Sequence, residues 1–293
     1  MRSSTQGQIR THFHEISTGI FWPSDLSDYV VENRQRWGEF DLSAQQMVKH
    51  HQTLTVKLLL KEGLLLKTVF ESPQYKPIVR YLRGKPSPYE LAVSLRRDSF
   101  LCHRTALTLH GLEPPGTTIY VNKEQGSKPA PEGITQEGIN RAFKGTQRQS
   151  SYTFRYGGSR FILISGKNTG KAGVVHSKGP HDEATDATDL ERTLLDIVVR
   201  PAYAGGIKRV FSAFKQTASK INVDHMIGLL RRVNYAYPYH QSIGFLLYRA
   251  GRPERDCKKL KDFGLEFDFF LDYGLKRPAY DANWRLYYPS HLR

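Results

Sequence analysis

The sequence predicts an α+β protein of two domains, a smaller one over residues 1–84 and a larger mixed one over residues 85–293. Three observations lead there. A chain of 293 residues is long for one small domain. The first 84 residues show helical patterns followed by two strand patterns. Beyond the Pro/Gly-rich joint Gly84-Lys85-Pro86-Ser87-Pro88, strand patterns alternate with short helices, and a run of four helices follows.

In the first domain, Ile9, Phe13 and Ile16 stand at helical spacing and predict a short helix. Ser24 offers a cap for a second helix with Leu26, Tyr29 and Val30 on one face, ended by Gly38. Ser43 offers the next cap; Met47, Val48, Leu54, Leu58 and Leu59 then form an apolar face up to Gly63. Residues 64–70 and 76–82 read as two strands around a turn at Ser72-Pro73-Gln74. Helix, turn, helix and β-hairpin is the order of a winged helix-turn-helix. In that geometry the helix after Ser43 enters the major groove and the hairpin flanks it. Ser43, Gln45, Gln46, Lys49, His50 and Lys57 are then the candidate DNA contacts on the helix, with Lys67, Lys76 and Arg80 on the wing.

The second domain opens with Leu91, Ala92 and Leu95 on one helical face. A helix over residues 102–110 follows, with His103, Ala106, Leu107 and His110 in line, stopped by Gly111 and Pro114-Pro115 ahead of the strand 117–121. Residues 152–156 and 160–164 form a predicted hairpin around Gly157-Gly158. Residues 166–187 read as loop with one short strand near 173–176. A capping box of Thr188 and Glu191 starts the helical run: Leu190, Leu194, Ile197 and Val198 line its first helix, Ile207, Val210, Phe211 and Phe214 the second, Val223, Met226, Ile227, Leu230 and Val233 the third, and residues 240–250 form the fourth. Residues 266–272 and 284–288 are late strands.

The charge is +15, with a pI near 9.7. It favours a polyanionic partner, nucleic acid first. Residues 1–84 carry 11 Lys+Arg against 8 Asp+Glu, residues 85–180 carry 14 against 6, and residues 181–293 carry 18 against 14. The middle is the basic part. A hydrophobic fraction of 39% and a mean hydropathy of −0.51 describe a globular chain. No apolar run reaches the ~20 residues of a membrane span, and the N-terminus lacks the apolar core of a secretory signal, so a cytoplasmic protein is expected. Cys102 and Cys257 are the only cysteines, which suggests neither a disulfide framework nor a zinc module.

Arg104-Thr105-Ala106-Leu107-Thr108-Leu109-His110-Gly111-Leu112 and, later, Glu191-Arg192-Thr193-Leu194-Leu195-Asp196 carry a family resemblance. Both segments, in this order, with Pro201 and Gly205-Gly206 after the second, resemble the AbiEi-type antitoxins of bacterial type IV toxin–antitoxin (abortive-infection) systems. The resemblance covers about residues 21–251. It implies an antitoxin whose first domain binds inverted repeats in its own promoter and represses the operon. The second domain would counteract a nucleotidyltransferase toxin, with no stable complex required. The cations around the first motif, Arg96, Arg97, Arg104, Lys123, Arg141, Lys144 and Arg148, are the candidates for that antitoxin role. A stand-alone DNA-binding regulator without a toxin is the alternative.

The candidate catalytic motifs are incomplete. Residues 166–172, Gly-Lys-Asn-Thr-Gly-Lys-Ala, fall short of a Walker A loop: three residues separate the glycines, and Ala172 stands where a hydroxyl would hold magnesium. A flexible basic loop is the reading here. His181, Asp182, Glu183, Asp186 and Asp189 could be imagined as a metal or acid–base cluster, or as the acids of a metal-dependent nuclease, but their spacing matches no ligand pattern. Arg192 and Asp196, four apart, can pair across one helical turn. The expectation is a non-enzyme without cofactor or metal.

Overall fold

The computed structural model describes residues 3–32, 45–127 and 133–292. The chain divides into two compact units: residues 1–95 with 154–160, and residues 96–153 with 161–293.

The first unit runs α1 (Ser3–Glu15), β1 (Gly19–Phe21), α2 (Pro23–Glu32), α3 (Gln45–Lys61), β2 (Leu66–Phe70), β3 (Ile78–Arg83) and α4 (Pro88–Ser94). Its sheet has the order β1-β3-β2 and is antiparallel throughout, with Phe21 opposite Tyr81 and Lys67 opposite Tyr81 on the other side. Ile9 and Phe13 of α1, Leu26 of α2, and Leu59, Leu64 and Leu65 at the end of α3 form the core, with Phe21, Tyr29 and Tyr81 packed against it. Removing such side chains from water is what holds so small a unit together, each contributing roughly 1.5–3 kcal/mol. Gly63 takes a positive φ of 68° and stops α3, and the Leu64 amide folds back to the Leu59 carbonyl at 2.9 Å. Helix α2 begins at Pro23, a residue suited to a first turn. Ser24 therefore lies inside the helix and bonds Asp25 instead of capping. The expected cap Ser43 and the stop at Gly38 lie outside the described residues.

The division does not fall at the Pro/Gly joint. Ser87 and Glu90 close a capping box at the start of α4, and that helix belongs to the first unit, so the boundary moves from Gly84 to Leu95. Arg80 accounts for this. Its guanidinium donates to the Ser94 carbonyl at 2.9 and 2.6 Å and to the Leu95 carbonyl at 3.0 Å, which ties β3 to the C-terminal end of α4.

In the second unit, β4 (Phe100–Leu101), α5 (His103–Leu109), β5 (Thr118–Glu124) and α6 (Gln136–Lys144) come first. Strands β6 (Thr153–Tyr156), β7 (Ser159–Gly166), β8 (Val174–Lys178) and β9 (Ala184–Thr188) follow, although residues 154–160, the tip of the β6–β7 hairpin, belong to the first unit. The sheet order is β6-β7-β5-β4-β9-β8, with β4 parallel to β9 and antiparallel to β5. The β6–β7 hairpin turns at Gly157-Gly158 as the sequence predicts. Residues 174–188 form a five-pair hairpin, not a loop with one short strand.

Four helices then cover the core: α7 (Leu190–Val199), α8 (Ile207–Thr217), α9 (Val223–Val233) and α10 (Tyr239–Arg249). All but one residue of α7 is buried, so this helix is the axis of the unit. A short helix α11 (Glu254–Lys258) leads to a small sheet of β10 (Phe269–Phe270), β11 (Ala279–Asp281) and β12 (Leu286–Tyr288), in the order β10-β12-β11. Gly244 of α10 lies so close to Trp284 that a Cβ there would meet the indole at 2.1 Å, which requires glycine for contact rather than for flexibility. No helix among the described residues is long and apolar enough to cross a membrane.

Candidate functional site

The candidate DNA contacts separate into three groups. Gln45, Gln46, Lys49 and His50 lie on the first turns of α3, and Lys57 is exposed on the same helix two turns past Lys49. Lys67 on β2 and Lys76 in the β2–β3 connection are also exposed. Arg80 is the correction. It is 2% exposed, stacks on Trp22 at 3.6 Å and donates to three backbone carbonyls, so it fastens the unit and does not face a partner. Exposed hydrophobic area gathers on the same hairpin, with Leu66 at 57% and Tyr75 at 39%.

The seven cations of the basic middle do not form one patch of equals. Arg97, Arg141, Lys144 and Arg148 are exposed, the middle two in the last turn of α6, where cations oppose the helix dipole favourably. Lys123 is half-buried on β5. Arg96 donates to Ser165 Oγ at 3.0 Å. Arg104 is held by Glu113 at 3.5 Å, and the same carboxylate takes Arg209 at 2.7 Å. Arg104 is thus committed to an internal triad, which revises its assignment as a free contact.

The most organised polar site is one that motif reading saw only in part. Arg192, on α7, is 2% exposed. Its Nε donates to Asp196 Oδ1 at 2.9 Å, and its Nη1 to Thr169 Oγ1 at 3.1 Å and to the Ala172 carbonyl. The Glu124 carboxylate, from β5, accepts the Thr169 amide at 2.9 Å, the Thr169 hydroxyl and the Lys171 amide at 3.1 Å. The segment 166–172 is therefore not a flexible loop but a strap bonded along its length to a carboxylate and a guanidinium. Gly173, at φ 69°, completes it, since a Cβ there would meet Arg192 Cβ at 2.6 Å. Burial penalises the charged form of Glu124, yet the hydrogen bonds from Thr169 and Lys171 and the charge of Arg192 hold its carboxyl below the ordinary range.

The first motif meets this centre. Cys102 caps α5 without a side-chain bond and is fully buried; burial, then the Asp196 charge, raises its thiol well above the usual value. An inert thiol follows. His103 starts α5 at φ 51°, lies edge-on to Tyr203 at 5.1 Å, and is 5% exposed, with no hydrogen-bond partner for Nδ1 among the described residues. Burial pushes it down to about 4, with Asp196 opposing and Arg200 and Arg192 assisting. His110 reaches from the end of α5 to the Thr188 carbonyl at 2.9 Å and to Thr193 Oγ1 at 3.3 Å. The two motifs touch each other; residues 191–196 are all buried, and Thr105, Ala106 and Leu107 of the first are buried while its remaining residues are half-buried or exposed.

The acidic stretch is rearranged. His181, Asp182 and Glu183 make the β8–β9 turn, where Lys178 pairs with Asp182 at 3.6 Å and His176 with Asp186 at 3.1 Å. The cap of α7 is Asp189, not Thr188: its carboxylate accepts the Arg192 amide at 2.7 Å. Glu191, expected in a capping box, instead accepts the Asn222 amide at the start of α9 at 2.7 Å. The structure brings Asp189 and Glu191 together with His225, their ligand-type atoms within 4.8 Å. Each is bonded within the protein, His225 Nε2 to Asp189 Oδ2 at 2.9 Å, so the trio fastens α7 to α9. His225 is 36 positions from Asp189, a distance no local motif reveals.

The geometry thus defines an α+β protein of two units, the first small and three-stranded, the second built round a buried arginine. No protein-family model matches the chain, and comparison with curated proteins finds no match. Among solved structures it is similar to the crystal structure of RV2827C protein from Mycobacterium tuberculosis, with a TM-score of 0.55 and 13% identity, covering 98% of this chain and 92% of that one. At that identity the likeness shows the fold alone.

Buried His103 generates a pH prediction. Its folded value of about 4 lies below the ~6.5 of an unfolded histidine, so the unfolded chain takes up the proton first and stability falls as pH drops from 6.5 to 4. The full effect is on the order of 3 kcal/mol. His103→Asn, which tolerates the left-handed backbone, removes this increment. Urea unfolding at pH 7, 5.5 and 4 checks it: the variant should lose less stability on acidification than the parent, and equal losses would contradict the assignment.

Proposed function

We propose that the protein is a DNA-binding antitoxin: its first unit binds duplex DNA as a winged helix and represses its own operon, and its second counteracts a nucleotidyltransferase toxin. The observation that carries the DNA half is the order α1-β1-α2-α3-β2-β3 with the sheet order β1-β3-β2. On this reading α3 is the groove helix and the β2–β3 hairpin the wing. Exposed Lys57, Lys67 and Lys76 on those elements, and the charge of +15, support it. The toxin half rests on the resemblance of residues 104–112 and 191–196 to AbiEi-type antitoxins. Because residues 191–196 are buried and Arg104 is paired with Glu113, the exposed cations Arg141, Lys144 and Arg148 are the stronger candidates for the antitoxin surface.

Lys49→Ala with Lys57→Ala in the full chain should weaken binding to the upstream duplex and lower the log–log salt slope by ~1.8, since each lost phosphate contact removes ~0.9. A gel-shift titration from low to moderate salt reads both quantities. Unchanged affinity and slope would remove α3 from the interface.

For the second half, reversing Arg141, Lys144 and Arg148 to Glu should abolish protection of cells expressing the toxin while the upstream duplex is still bound. Growth rescue alongside circular dichroism measures this. Full rescue by the folded variant would leave those cations to solubility alone.

A further inference from the structure

The first unit has a deficit of free charge for a DNA-binding module. Residues 1–95 hold 12 Lys+Arg against 9 Asp+Glu. Several of those cations are engaged: Arg10 pairs with Glu62 at 2.8 Å, Arg83 donates to the Phe13 and Ile16 carbonyls, and Arg80 is buried. The same unit, however, includes residues 154–160 from the middle of the sequence. They bring two arginines and no acid.

This segment is the tip of the β6–β7 hairpin, and it is fixed to the wing strand. Arg155 forms an antiparallel bridge with Glu71, its amide donating to the Glu71 carbonyl at 2.8 Å and its carbonyl accepting the Glu71 amide at 3.1 Å. One residue on, the Tyr156 and Phe70 rings meet at 5.1 Å. Phe154 is fully buried, which anchors the base of the tip. The edge of the three-stranded sheet is thereby extended beyond β2.

The register decides which way the arginines face. Residues directly across a β-bridge share a sheet face, and every second residue along a strand shares it too. Arg155 is thus on the face of Glu71, Val69 and Lys67. Lys67 stands opposite Tyr81, whose ring packs on the core built by α1, α2 and α3, so this is the face that carries the helices. Gly157 and Gly158, at φ 56° and 79°, make a two-residue turn that sets Arg160 opposite Arg155. Both arginines are exposed, and neither guanidinium has an ion pair among the described residues. Like charges directly opposite are unfavourable in a sheet. Glu71 offsets one of the two, and the row keeps an excess positive charge that a polyanion relieves.

We infer that the 154–160 hairpin is a second wing: Arg155 and Arg160 contact backbone phosphates of the duplex engaged by α3 and the β2–β3 hairpin. Guanidiniums suit this work, because their fork of donors matches two phosphate oxygens. The contacts carry no base information, so they raise affinity for all sequences alike. The inference rests on the reading that the first unit binds DNA.

The test is the full chain with Arg155→Ala and Arg160→Ala, titrated by fluorescence anisotropy against the upstream duplex and a scrambled duplex at 50–200 mM salt. The expected result is a salt slope smaller by ~1.8 on both duplexes, with the ratio of the two affinities unchanged. Arg155→Lys with Arg160→Lys should restore most of the slope, which separates lost charge from a disturbed hairpin. Wild-type binding with the same slope in the Ala variant overturns the second wing and leaves the DNA reading standing. Absence of wild-type binding to either duplex overturns both. A loss that the Lys variant does not recover, with circular dichroism unchanged, also overturns the proposal, because it would tie the arginines to geometry rather than to phosphate.

Discussion

The pairing of Arg192 with Asp196 is the interaction on which the second unit depends. Both side chains are inside, at 3% and 6% exposure, one turn apart on the helix packed against α5, α8, α9 and α10. Bringing two charges out of water costs several kcal/mol each, and their mutual attraction repays it only when the remaining donors are satisfied. Here Nε meets Asp196 and Nη1 meets both Thr169 and Ala172, so the strap 166–173 is held to α7 by the same group that neutralises the acid. Glu124 then holds the strap from the sheet side. Removing one partner would leave an uncompensated charge in the interior, at a cost of about 3–5 kcal/mol. This explains how a Glu-Arg-Thr-Leu-Leu-Asp segment can define an architecture.

Arg80 plays a comparable part in the first unit with different chemistry. Three carbonyls and the Trp22 ring meet its guanidinium. The end of α4 carries unsatisfied carbonyls, and a cation there is favoured by the dipole as well as by hydrogen bonding. The result is a unit in which the apparent linker is structure, and in which exposed cations among the described residues include Lys57, Lys67, Lys76, Lys85, Arg155 and Arg160.

Much of this was legible in the sequence where a periodic pattern was long. The α7–α10 run shows its apolar spacing plainly, and Gly157-Gly158 announces its turn. What escaped were features made by residues distant along the chain. Arg80 alternates in a strand like any wing cation; its burial depends on carbonyls at 94 and 95. Residues 166–172 have the composition of a loose loop, and their order comes from Glu124, 45 positions earlier than Thr169. The true cap of α7, Asp189, sits beside a plausible one, Thr188, whose hydroxyl turned to Thr193 at 2.7 Å. The two-residue strands β4 and β10 are too short for alternation to declare them. Arg155 and Arg160 had a local signal, two cations flanking a glycine turn, but their joining the first unit did not.

The proposed function requires the first unit to bind a particular DNA sequence through α3. Equilibrium binding of the full chain to the duplex upstream of its own gene, beside a scrambled duplex of equal length at 150 mM salt, tests it most directly. A specific reader should prefer its own site by at least ~10³-fold. Equal affinities for the two duplexes, or no binding to either, would contradict the account.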